Sequence, residues 1–79
     1  MKTQRYSPII FQERLREEIK KSGLTGKEIA LAAGIDRKCI TAYKYGDYIP
    51  NIVVFMKICK ILNVSADYML GLTNERKTI

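Results

Sequence analysis

The sequence predicts an all-α fold, a compact bundle of five short helices, and three observations carry that expectation. Apolar residues recur at helical rather than alternating spacing, as Phe11, Leu15 and Ile19 do. Gly23, Gly34, Gly46 and Gly71 each stand just past such a stretch, where a helix ends in the left-handed conformation. Thr25, Asp36, Asn51 and Ser65 stand where the following helices begin, and their side-chain oxygens suit the free amides of a first turn.

The first predicted helix runs from about Pro8 to Ser22. Pro8 follows Ser7, and proline at the first helical position removes only an amide that has no partner there. Phe11, Leu15 and Ile19 form its apolar stripe, and Gln12, Glu13, Arg14, Arg16, Glu17, Glu18 and Lys20 form the polar remainder. Thr25-Gly26-Lys27-Glu28 has capping-box spacing and opens a second helix that Gly34 closes after about eight residues. Ile29, Ala30, Ala32 and Ala33 keep that helix slim enough for close approach. Asp36 caps a third helix, Arg37 to Tyr45, ended by Gly46. After a loop with Asp47 and Pro50, Asn51 caps a fourth, Ile52 to Leu62, with Ile52, Phe55, Ile58, Cys59 and Leu62 inward. Val53, Val54, Met56 and Ile61 fall partly off that stripe, so this helix has more apolar surface than one core needs. Ser65 caps a short fifth helix through Met69 or Leu70. Residues 1–7 are expected to be an extension, 8–72 the domain and 73–79 a flexible polar tail.

A chain of 79 residues has room for one domain. With 14 lysines and arginines against 8 acidic residues, the charge is +6 and the simplest partner is a polyanion. Histidine is absent, which removes the usual general base and the commonest zinc ligand. Cys39 and Cys59 lie far apart without a CxxC, so no metal site, redox pair or other cofactor is expected, and both read as buried thiols. An enzyme is therefore the least expected class. No signal peptide and no apolar run of about 18 residues is visible, which points to the cytoplasm and away from membranes.

Two short helices joined by the tight turn Gly34-Ile35-Asp36 form a helix-turn-helix arrangement, whose second helix fits the major groove of DNA. The residue pattern is more specific: Gly23-Leu24-Thr25, Glu28-Ile29-Ala30, Gly34-Ile35, Ile40, Tyr43, Gly46, Pro50, Leu62-Asn63-Val64-Ser65, Asp67-Tyr68 and Leu70-Gly71. From about Phe11 to Thr73 the chain resembles the phage-repressor and Cro type of helix-turn-helix proteins, also called XRE-type. The resemblance implies a five-helix helix-turn-helix domain of the lambda-repressor-like type. It also implies a homodimer on a palindromic double-stranded DNA operator, regulating transcription, most simply as a repressor.

The residues themselves give that reading its chemistry. Cys39, Ile40 and Tyr43 share one arc of the third helix, at about 100° per residue, which leaves Arg37, Lys38, Thr41, Ala42 and Tyr45 as candidate base readers. Arginine forks onto guanine, lysine reaches the same atoms, and the Thr41 or Ala42 methyl suits a thymine methyl. Arg37 and Lys38 oppose the helix dipole, a placement that an external anion relieves. Thr25, Gly26, Lys27, Lys44 and Tyr48 are candidate phosphate contacts, the amino end of the second helix supplying free amides. The resembled family commonly has glutamine where Gly26 stands and glutamate where Lys44 stands. The first departure removes a side-chain phosphate contact; the second adds positive charge and removes a partner for the loop. Asp36, at a position where serine or threonine is frequent, reads as a pure cap.

Val54, Ile61, Tyr68 and Met69 are candidate dimer-interface residues, from the surplus apolar surface of the fourth helix and the short fifth. Two other classes compete. The same fold could serve as a protein-interaction module, antitoxin-like or adaptor, through the fourth helix. Its five tyrosines could stack on single-stranded nucleic acid, but they are not spaced as a platform.

Overall fold

The computed structural model describes residues 9–79, so the predicted helix start at Ser7 and Pro8 and the extension 1–7 lie outside the described residues. Five helices follow one another: α1 (Ile9–Ser22), α2 (Gly26–Ala33), α3 (Arg37–Tyr45), α4 (Ile52–Leu62) and α5 (Ala66–Met69), with no strand among the described residues. The fold is the expected all-α one.

Local chemistry places each boundary. Thr25 and Glu28 close a reciprocal capping box: the Glu28 N–H donates to Thr25 Oγ1 at 3.0 Å and the Thr25 N–H donates to Glu28 Oε1 at 2.8 Å. Asp36 accepts the Lys38 N–H at 2.8 Å, Asn51 the Val54 N–H at 2.9 Å, and Ser65 the Tyr68 N–H at 3.3 Å. At the end of α4, Asn63 takes the left-handed conformation with φ 54°, a role asparagine tolerates better than other side chains. Gly46 is constrained twice. Its φ is +86°, and a β-carbon there would meet Gln12 Nε2 at 2.6 Å, so α1 lies directly against the end of α3.

The core is built on α1 and α4. Leu15 and Ile58 are wholly inaccessible, and Phe11 meets Phe55 edge to face at 5.8 Å between ring centres. Ile29 from α2, Ile40 and Tyr43 from α3, and Val64 and Met69 from the carboxyl end complete it. Met69 is 0% exposed, which corrects its assignment to a dimer interface: α5 is a single turn, and Met69 is its buried anchor. Ile52, expected inward, is exposed instead. Asn51, Ile52 and Val53 are all exposed, so the first turn of α4 stands clear of the helices that cover its later turns.

One charge is inside. Glu18, assigned by spacing to the polar face of α1, is buried and paired with Arg76, whose Nε and Nη2 donate to the two carboxylate oxygens at 2.9 and 2.7 Å. That pairing belongs to a wider set of contacts from residues 73–79, which have no helix or strand. Arg14 donates to the carbonyls of Tyr68 and Thr73 and to Asn74 Oδ1, and its guanidinium covers the Tyr68 ring at 4.0 Å. The Ser65 N–H donates to the Lys77 carbonyl at 2.7 Å. Such long-range ties are set by side-chain reach and leave no periodic trace in sequence.

Candidate nucleic-acid interface

The helix-turn-helix is the pair α2 and α3, hinged at Gly34-Ile35-Asp36. α3 rests on both α2 and α1. Two supports bury a wide arc. Ala42 (8% exposed) lies roughly 60° from the Cys39-Ile40-Tyr43 side at about 100° per residue, and it joins that side. The assignment of Ala42 to base reading is corrected accordingly: its methyl is covered. Its carbonyl accepts from Gly46, Asp47 and Tyr48, at 2.9 Å from Asp47, and so draws the following loop back onto α3.

What remains open is one face. Arg37, Lys38, Thr41 and Tyr45 are exposed and Lys44 is half-buried; at about 100° per residue these five share an arc of roughly 120°. The ion pairs of the described residues involve Glu18 and Glu75 and leave α3 aside. At its amino end the Asp36 carboxylate accepts from the Lys38 amide, which offsets the local positive pole beneath Arg37 and Lys38.

Beside this face, Thr25 and Lys27 are exposed and Gly26 is half-buried. The capping box occupies the amides of Thr25 and Glu28. The amides of Gly26 and Lys27 fall in the first turn, where no carbonyl stands four residues back, so they are the donors this helix end offers an anion. Thr25 Oγ1 is already an acceptor within the box, and its hydroxyl hydrogen is what it has left to give. Tyr48 is exposed and does not pack into the core. Spacing alone did not mark Arg16. From α1 it donates to the Lys44 carbonyl at the end of α3, and its guanidinium lies 5.5 Å from the Tyr45 ring centre. Gln12 and Arg16, one helical turn apart, both meet the carboxyl end of α3.

The remaining candidates lie elsewhere on the molecule. Val54, Ile61 and Tyr68 are half-buried against the core, while Ile52, Val53 and Met56 expose more apolar surface on α4. Cys59 is buried, and burial pushes its thiol up to about 11, far from a reactive thiolate. Cys39 is half-buried on the flank of α3, one turn before Tyr43; burial, and to a lesser degree that neighbouring thiol, raise the phenol of Tyr43. Among the described residues no cluster of metal-ligating side chains occurs, and no helix is long and apolar enough to cross a membrane.

Comparison with known proteins agrees with this geometry. Residues 12–75 match the family model described as helix-turn-helix domain, a stretch that takes in α1 from Gln12 and all of α2 to α5. The chain is similar to the uncharacterized HTH-type transcriptional regulator YqaE of Bacillus subtilis (strain 168), 38% identical over 68 residues, or 85% of this chain and 59% of that protein. It is similar too to the uncharacterized HTH-type transcriptional regulator YgzD of the same organism, 23% identical over 64 residues, covering 81% of this chain and 97% of that one. The chain thus spans about three-fifths of the length of the first relative.

Proposed function

The chain belongs to the XRE-type helix-turn-helix family, and from that premise we propose that it is a sequence-specific double-stranded DNA-binding regulator of transcription that acts in the cytoplasm by occupying its operator as a repressor. The observation that carries this reading is the open face of α3, where Arg37, Lys38, Thr41, Lys44 and Tyr45 stand together on a helix held by two others. A helix of this kind enters the major groove with its amino-terminal residues at the base edges, which gives Arg37, Lys38 and Thr41 the reading role. The Gly26 and Lys27 amides and the Thr25, Lys27, Lys44 and Tyr48 side chains then hold the backbone. The net charge of +6 supplies the attraction, and affinity falls with salt by a log-log slope of about −0.9 per phosphate neutralised.

Selection of bound sequences from a random duplex pool tests the reading. A defined operator is expected. On it, Arg37→Ala costs about 1–3 kcal/mol and relaxes one position, whereas Lys27→Ala weakens all sequences alike. Unchanged affinity in both variants would remove α3 from the interface.

In this reading the protein works as a homodimer on a palindromic site, two copies of α3 lying about 34 Å apart. The half-buried Val54, Ile61 and Tyr68 support a contact at the α4 and α5 end. A monomer in sedimentation at high concentration, with and without operator, excludes it. A second reading, a protein-interaction module, is favoured by Ile52, Val53 and Met56, which are exposed on consecutive turns of α4. Specific protein capture that survives Arg37→Ala, without any duplex preference, selects that reading instead.

A further inference from the structure

We propose that Arg16, Lys44 and Tyr45 form a clamp for one backbone phosphate at the carboxyl end of α3, an inference that rests on the DNA-binding reading and adds a site from α1 to it. The Arg16 guanidinium and the Lys44 ammonium stand 5.5 and 5.7 Å from the centre of the same exposed ring, that of Tyr45. Two cations thus flank one exposed tyrosine, whose hydroxyl is a further donor. Arg16 spends one N–H on the Lys44 carbonyl, and an arginine carries five in a planar fork suited to phosphate oxygens.

The tie to the Lys44 carbonyl matters to the ligand. A helix ends in a partial negative charge of roughly half a unit, which repels an anion; Arg16 covers one of those carbonyls and leaves its own charge and that of Lys44 in excess. Asp47, the acidic residue of the following turn, offsets only one of the two.

Geometry then decides between base and backbone. Tyr45 lies eight residues beyond Arg37, about 12 Å along the axis at 1.5 Å per residue. The major groove is about 12 Å wide, so a helix with its amino end at the base edges brings its carboxyl end out at the flanking strand. Tyr45 is therefore reassigned from base reading to phosphate binding, with Arg16 and Lys44 beside it.

The test uses the full chain, its selected operator and an unrelated duplex. Tyr45→Phe keeps the ring and removes the hydroxyl; it is expected to weaken both duplexes by a similar factor, about three- to tenfold, with the base preference intact. The double variant Arg16→Gln, Lys44→Gln is expected to lower the salt slope by about 0.9, the value for one phosphate. A wild-type slope in a double variant that melts like wild type overturns the clamp, as does a Tyr45→Phe protein altered at one base position. If Arg16→Gln does not fold, Lys44→Gln with Tyr45→Phe carries the same two readouts. Inorganic phosphate at constant ionic strength is the third arm: if it occupies the Arg16 side chain by NMR without competing with duplex, the site serves a free anion and the clamp is overturned. Wild-type protein that binds no duplex at all removes the parent reading instead, a result distinct from each of these.

Discussion

The carboxylate of Glu18 is 2% exposed and is gripped at both oxygens by the guanidinium of Arg76, fifty-eight positions further along the chain. A buried carboxylate needs a partner, because leaving it unpaired costs more than the pair gains. Arg76→Ala is expected to destabilise the domain by about 1–3 kcal/mol in urea titrations. The figure lies below that for a wholly buried pair because the Arg76 side chain is about a third exposed and Lys21 remains 3.8 Å from Glu18.

The same pair sets an acid limit. Hydrogen bonds from Arg76 hold the Glu18 carboxyl below its ordinary range, against the opposing effect of burial. A depressed folded value contributes stability that is complete above the unfolded value, about 4.3, and is lost as pH falls through the folded one. Urea midpoints are expected to drop on acidification over that window. Glu18→Gln should flatten the drop, and an undiminished drop in that variant would assign it to other carboxylates.

Gly46→Ala is expected to cost about 1–2 kcal/mol, since a β-carbon is disfavoured at φ +86°. Gly46→Asn should cost less, because asparagine visits that conformation while placing its β-carbon in the same spot. Equal losses in the two variants, read from urea midpoints, would assign the constraint to contact with Gln12 instead.

Gly26→Gln should tighten duplex binding about fivefold, near 1 kcal/mol. The site has room: a β-carbon there meets only Ile40 Cγ2, at 3.7 Å, an ordinary contact. Anisotropy titrations at fixed salt read the gain, and no gain would place the amino end of α2 away from the backbone.

Met69→Ala should lose about 2–5 kcal/mol, the range for truncating a buried methionine. A core residue shows that loss at every protein concentration. A loss that grows on dilution would return Met69 to an interface.

Helix order and ends were legible because they depend on neighbours in sequence: Thr25 with Glu28, Asp36 with Lys38, Gly46 just past Tyr45. The face of α3 was legible in outline for the same reason. Ala42 was not, since the width of a buried arc depends on how many helices lean on it, and α1 adds a second. Nor were Glu18 and Arg16: each is a charged residue beside an apolar stripe, and only the distant partner, Arg76 or the end of α3, separates a buried or positioned charge from a solvated one. Met69 escaped because one turn of helix is too short to show a period.

The unequal burial of the two cysteines has a practical side. A maleimide reagent at neutral pH meets one thiol, Cys39, that is half open, and another, Cys59, that is enclosed and protonated. Short exposure should therefore attach a single probe without any mutation, and attach it to the flank of α3. If α3 enters the groove as proposed, a fluorophore or spin label introduced in this way sits where docking to a duplex changes its surroundings, so the wild-type chain carries its own reporter position.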